Sequence, residues 1–289
     1  MAREYGSAEA FRRALEARLN KIAETELVQV NRLRRQVAFD RLLARLFRTL
    51  PAPWVLKGGY ALELRFKTAR ATVDIDLTVQ VPAVALEADA NQIVREMLQD
   101  AASINLDDRF EYTVGPLTLD LDAAPYGGGR FPIETRMGGR IFARFHLDAG
   151  VGDAIIEPVD VIEGRGWLDF PGIASPRIVA LSQEQQFAEK VHAYTLPRPS
   201  NSRVKDLVDL ALLIRSGTLM HERVAGAIRV TFERRRTHQL PNVFPKPPTE
   251  WKRNFQALAE ENELLGDLDN TTDAVAEFFD RVVGNRPPD

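Results

Sequence analysis

Trp54-Val55-Leu56-Lys57-Gly58-Gly59-Tyr60, followed by Arg70-Ala71-Thr72-Val73-Asp74-Ile75-Asp76-Leu77-Thr78-Val79, decides how this chain is read. The first segment is a short apolar run, hence a strand, that ends at Lys57-Gly58-Gly59; one or two helical turns are expected over Tyr60–Phe66. The second alternates apolar and polar residues with the period-two pattern of a strand. Residues two apart on a strand share a face, so Asp74 and Asp76 point the same way and Ile75 enters the opposite layer. Two carboxylates so close repel unless a cation sits between them. Mg²⁺ (or Mn²⁺) suits that role, taking oxygen ligands and keeping waters that phosphates can replace. Gly58 and Gly59 let backbone N–H groups approach a phosphate, and the helix N-terminus after them adds partial positive charge. Lys57 and Arg70, just before the turn and the acidic strand, are candidates to meet a triphosphate.

Such chemistry wants a third carboxylate, to bind a second metal and act as base for an attacking hydroxyl. The candidates are Asp148, expected at a strand end just before a glycine, and Asp120 or Asp122 in Leu119-Asp-Leu-Asp122. Further on, Lys190 sits on an amphipathic helix, where it could neutralise a nucleotide phosphate. Asp206 and Asp209 lie one helical turn apart on one face; they could orient Lys190, contact sugar or base, or hold two lobes together.

Around these motifs the pattern predicts an α+β chain. Helices are expected over Ala8–Glu24, capped by Ser7, and over Val30–Leu50, stopped by Pro51 and Pro53. Another opens at Pro82 and runs to Ala102. A β-rich section follows, with strands at Phe110–Val114, Leu117–Leu121, Ile141–Leu147 and Ile155–Ile162, and a flexible loop at Gly127-Gly128-Gly129. After Pro176 helices are expected over 184–194, 205–214, 220–233, 250–261 and 273–283. The implied segments are N-terminal helices (1–50), a mixed-sheet core (51–172), a helical lobe (173–284) and a tail (285–289).

The 289 residues contain no cysteine, which excludes disulfides, thiolate metal sites and a cysteine nucleophile. The four histidines have no zinc-hydrolase spacing. No apolar run is long enough to span a bilayer and the start lacks a signal pattern, so the expectation is a cytoplasmic protein with no membrane partner. A net charge of −3 hides blocks: 11 basic against 6 acidic residues in 1–50, 14 against 21 in 51–202, 11 against 5 in 203–256, and 2 against 9 thereafter. An acidic middle with basic flanks suits a metal site between surfaces that attract polyanions. Arg12, Arg13, Arg32, Arg34 and Arg35 at the front, and Arg229, Arg234, Arg235, Arg236, Lys246, Lys252 and Arg253 at the back, form those clusters.

Lys57-Gly-Gly-Tyr-Ala-Leu62, Arg70-Ala-Thr72-Val-Asp74-Ile-Asp76-Leu77, Asp148-Ala-Gly-Val-Gly-Asp153, Glu189-Lys190 and Arg203-Val-Lys-Asp206-Leu-Val-Asp209-Leu, in that order, resemble the AbiEii-type nucleotidyltransferase toxins. That family includes the MenT toxins of mycobacteria and belongs to the nucleotidyltransferase superfamily of the DNA polymerase β type. The resemblance implies a polymerase β-type lobe followed by a helical lobe, and an NTP-using toxin paired with a cognate antitoxin. It also implies transfer of NMP to an RNA, by analogy the 3′ end of tRNA, which would inhibit translation. Asp74 and Asp76 would hold Mg²⁺, Lys190 would contact the nucleotide phosphates, and either Asp206 or Asp209 would be the late essential aspartate. Thr72 matches a position that some related toxins carry phosphorylated when inactive. The family usually has Ser or Thr after the glycines, where this chain has Tyr60. Two other readings use the same residues: an NTP-dependent phosphoryl transferase attacking the γ-phosphate, and a non-catalytic module binding RNA or a protein partner.

Overall fold

Alternation at Asp74–Val79 produces strand β2, and Trp54–Lys57 produces β1, its antiparallel neighbour, with Lys57 opposite Asp76. The computed structural model describes residues 5–66, 69–81, 90–121, 124–197 and 203–284. The start of the helix expected at Pro82, Asp122, most of the loop after Pro197 and the tail lie outside them. Contacts divide the chain into two compact units: Met1–Leu64 with Ala71–Gly152 and Val161–Ala180, and Arg65–Arg70 with Asp153–Asp160 and Leu181–Asp289.

The first unit is built on a mixed sheet. Its further strands are β3 (Glu111–Val114), β4 (Leu119–Asp120), β5 (Gly128–Met137), β6 (Arg140–Val151), β7 (Asp160–Glu163, almost all in this unit) and β8 (Arg177–Ala180). The strand order is β3-β5-β6-β2-β1-β8-β7, with β4 pairing β5. β2 and β6 run parallel, and β5 and β6 antiparallel. Helices α1 (Ala8–Glu26), α2 (Val30–Leu46), α3 (Gly58–Arg65, nearly all in this unit) and α4 (Ala90–Ala102) complete it.

Helices α1 and α2 belong to this unit. Phe11, Leu15, Leu33, Val37 and Leu43 are buried in one core with Ile75, Leu77 and Leu147. Phe39 on α2 meets Phe145 of β6 edge-on at 4.7 Å and Tyr60 of α3 at 4.9 Å. An amphipathic helix pair hides its apolar stripe most readily against an apolar sheet face, which is why these helices join the core.

Several expectations differ from the structure; among them, the strand expected at Leu117–Leu121 is only Leu119–Asp120 and the helix expected to Leu50 ends at Leu46. Gly128 and Gly129 open β5 rather than forming a loop: a Cβ on Gly128 would lie 2.3 Å from the Ala149 carbonyl oxygen, so glycine admits the neighbouring strand. The rest of β5 is not predicted by the sequence, because Pro132 and the Arg and Glu residues interrupt the apolar pattern, and neither is β8, which has only four residues. Of the Ile155–Ile162 stretch only the end from Asp160 is extended. Helix α3 begins at Gly58, two residues before Tyr60.

The second unit is helical: α5 (Gln183–Thr195), α6 (Val204–Arg215), α7 (His221–Arg235), a 3₁₀ turn at Thr249–Trp251, α8 (Lys252–Glu261) and α9 (Leu268–Gly284). Ser182 caps α5 by accepting the Gln185 N–H. No helix among the described residues is long and apolar enough to cross a membrane.

In the first unit's core, Asp40 accepts hydrogen bonds from the Tyr60 hydroxyl and from the Arg165 backbone N–H. Burial outweighs these bonds and pushes the Asp40 carboxyl up to about 7. The folded state therefore holds a proton between about pH 4 and 7 that the unfolded chain has released. Stability from this group is present at low pH and declines as pH rises through 7, by a few kcal/mol in all. Denaturant unfolding from pH 5 to 8 is expected to show that decline, and Asp40→Asn to flatten it; an equal slope in the variant would place its origin elsewhere.

Candidate active site

The parallel register of β2 and β6 sets Asp74 opposite His146 and Asp76 opposite Asp148. Cross-strand partners share a face, so Asp74, Asp76 and Asp148 stand together on the side of the sheet away from Ile75 and Leu147. Asp148 lies within β6 rather than at its end, with three strand residues after it. Asp120, by contrast, is exposed on β4, where it accepts a hydrogen bond from Asn91 at 3.0 Å. Of the candidates described, Asp148 is therefore the one that shares a face with Asp74 and Asp76.

The glycine bend touches the same cluster. A Cβ at Gly58 would lie 2.0 Å from Asp76 Oδ2, and the residue sits at φ +67°. Only glycine adopts this turn easily and leaves room for the carboxylate. Lys57, its neighbour on β1, pairs in register with Asp76, and Gly59 is buried in the first turn of α3. Thr72 donates its hydroxyl to Asp74 Oδ1 at 3.0 Å and its backbone N–H to Glu63 Oε2 at 3.2 Å. Glu63 also accepts from Arg32 and Gln36, so a buried network through α2 and α3 holds the approach to the acidic strand.

Sequence reasoning missed Arg130. It faces Asp148 from β5 and donates to both its oxygens at 2.7 Å, with Asp74 Oδ2 at 3.6 Å. The Asp148 hydrogen bonds, then the Asp148, Asp74 and Asp76 charges, raise the Arg130 pKa against the cost of burial. Its only sequence signal was a lone cation in an otherwise apolar Gly-Gly-Arg-Phe run. Among the described residues, no group of three or more His, Asp or Glu side chains is disposed to hold a metal ion as it stands. The donor chemistry nevertheless fits Mg²⁺: hard carboxylate oxygens from Asp74 and Asp76 on one face, with Asp148 beside them in a bidentate pair with Arg130.

The second unit gathers the other candidates into one buried ion cluster. Lys190 Nζ lies 2.9 Å from Asp206 Oδ1 and 2.7 Å from Asp209 Oδ2. Arg70 grips both oxygens of Asp209 at 3.0 and 3.1 Å, and Arg203 pairs with Asp206 at 3.2 Å. Burial opposes charge on Lys190, but the two aspartates more than offset it and hold its pKa above the usual value. Burial likewise opposes ionised Asp209, and Lys190 with Arg70 overcomes it. Arg70 is thus committed to Asp209 in this structure.

Several cluster arginines are also engaged. Arg12 caps the carbonyls of Met137 and Ile141, Arg32 pairs with Glu63, and Arg34 with Glu16. At the back, Arg235 pairs with Asp153 and Glu189, and Lys252 with Asp269.

A family profile described as nucleotidyl transferase AbiEii toxin, type IV toxin–antitoxin system, matches residues 41–288. The chain belongs to the AbiEii nucleotidyltransferase toxin family. Its fold is similar to that of MenT4, a nucleotidyltransferase toxin from Mycobacterium tuberculosis H37Rv, at a TM-score of 0.53 and 16% identity, over 93% of this chain and 99% of that one. JHP933 from Helicobacter pylori also aligns, at a TM-score of 0.47 and 16% identity, over 88% of this chain and 92% of that one. No curated protein sequence matches. Membership in the AbiEii family makes this chain a nucleotidyltransferase of a toxin–antitoxin system, with an NTP substrate and an antitoxin partner.

Two substitutions probe the first-unit site. Gly58→Ala drives a methyl group into Asp76 and is expected to lower kcat by about 10²-fold, because a misplacement near 1 Å has that effect. A rate within twofold of wild type would show that Asp76 tolerates displacement. Arg130→Gln removes the cation beside Asp148 and Asp74. Mn²⁺ affinity, read by calorimetry or electron paramagnetic resonance, is expected to rise by roughly 1 kcal/mol or more. Unchanged affinity would mean that bound metal does not sense Arg130.

Proposed function

We propose that this chain transfers NMP from an NTP to the 3′ end of an RNA, by family analogy a tRNA, and that the product arrests translation. The observation that supports this most is the β2–β6 register, which stacks Asp74, Asp76 and Asp148 on one face beside the glycine bend. Asp74 and Asp76 would hold Mg²⁺, which when bound would neutralise the triphosphate and lower the pKa of the attacking hydroxyl. The backbone at Gly58 and Gly59, with Lys57, would cradle the phosphates. The 3′-hydroxyl oxygen bonds to the α-phosphorus as the bond to the β-phosphate bridging oxygen breaks, and pyrophosphate leaves with that electron pair. Asp148 would accept the hydroxyl proton, or join the metal, through lone pairs that its two Arg130 hydrogen bonds leave open. Positioning and charge neutralisation carry the rate, with no covalent intermediate.

For Lys190 we propose the phosphate-neutralising role that the resemblance assigns, with Asp206 and Asp209 orienting its ammonium group. Asp209, which also holds Arg70, is the better candidate for the essential late aspartate. Thr72 is the proposed regulatory site. A phosphate on its hydroxyl would replace the bond to Asp74 with repulsion between anions and block metal binding.

Total RNA incubated with α- or γ-labelled single NTPs and Mg²⁺ tests the reading. RNA is expected to take up the α label with wild type and none with Asp74→Ala. Label from the γ position on an acceptor would instead identify a phosphoryl transferase, and unlabelled RNA with every NTP would remove the proposal.

A further inference from the structure

Beyond the start of β2, strand β6 continues without it, and there the first unit has a cavity of about 610 Å³, well within the range of ligand sites. Its lining includes Arg35, Val73, Pro132, Arg144, Phe145 and His146. Val73 is 58% exposed despite being apolar, and it immediately precedes Asp74. His146 is the register partner of Asp74. The cavity therefore opens directly beside the carboxylate cluster.

Its cations differ in availability. Arg144 is tied to Glu134, also in the lining, at 2.6 Å. Arg35 makes no hydrogen bond or ion pair among the described residues, and its buried Nε lacks a partner. A buried guanidinium nitrogen without an acceptor is costly, and an anionic oxygen would relieve it. One unpaired arginine beside an apolar wall matches one phosphodiester with a sugar and base attached. It falls short of the charge of a triphosphate.

Topology separates this cavity from the glycine bend. β2 has β1 on one side and β6 on the other; Gly58 follows β1, whereas the cavity lies along β6, β5 and β3. In-line displacement at phosphorus needs the attacking oxygen and the leaving pyrophosphate on opposite sides.

We propose that this cavity receives the 3′-terminal nucleotide of the RNA acceptor, its phosphate on Arg35 and its sugar and base against Val73 and Pro132. The assignment rests on the nucleotidyl-transfer reading above. A nucleotide in the cavity could also be the incoming NTP, and the two sources are separable by binding.

Full-length wild type, Arg35→Ala and Arg35→Lys are titrated with a fluorescent single-stranded RNA across a salt series, and separately with each NTP and Mg²⁺. Thermal melting checks that each variant folds. Arg35→Ala is expected to weaken RNA binding roughly tenfold at low salt. It should also reduce the slope of log affinity against log salt by about 0.7, the loss of one single-strand phosphate contact. Arg35→Lys should recover that slope, and NTP affinity should stay the same in all three proteins. If NTP affinity falls instead, the cavity holds the incoming nucleotide and the proposal is overturned; if neither ligand responds, it is overturned also. Wild type that extends RNA alongside an indistinguishable Arg35→Ala would refute this placement alone. Wild type that neither binds nor labels RNA would remove the transfer reading and this inference together.

Discussion

The parallel pairing of β2 with β6 is the constraint on which the first unit's site depends. It puts Asp76 beside Asp148 and Asp74 beside His146, so carboxylates from strands distant in sequence share one surface. Such a cluster has a high electrostatic cost unless positive charge enters it. In this structure that charge comes from Arg130 on β5, carried to Asp148 by the antiparallel register of β5 and β6. The same cost is what would draw in a divalent cation. A divalent cation bound at that face would have to compete with this fixed guanidinium.

The second unit uses a related device with a different balance. Lys190, Arg70 and Arg203 surround Asp206 and Asp209, and the two aspartates are buried. Buried ion pairs seldom add much net stability, because desolvation consumes most of the attraction. What they supply is geometry: Lys190 Nζ is held between two carboxylates on successive turns of α6. A lysine held this way stays protonated and keeps its place, as a phosphate-binding ammonium must.

Tyr60 shows how one departure from the family pattern is absorbed. Where the family usually has a small hydroxyl residue, this side chain turns into the core, donates to Asp40 and packs edge-on against Phe39. The position following the glycines thereby becomes part of the packing between α2 and α3. In a phosphate site at that bend, donation would pass to the backbone N–H groups, and Gly58 keeps the space over Asp76 open.

Local patterns in the chain were enough to determine β1, the bend at Gly58, the shared face of Asp74 and Asp76, and the helices of the second unit, because period and turn chemistry are properties of adjacent residues. The five ordered motifs likewise carried the family, since their order survives without any knowledge of contacts. Only tertiary structure decided that Asp148 rather than Asp120 joins the pair, that Arg130 sits between Asp148 and Asp74, and that Arg32 and Arg34 pair with carboxylates while Arg35 makes no ion pair among the described residues. Those outcomes depend on strand register and on which long side chains reach which carboxylates. Neither is encoded in spacing along the chain, because register comes from pairing between segments that meet only when the sheet closes.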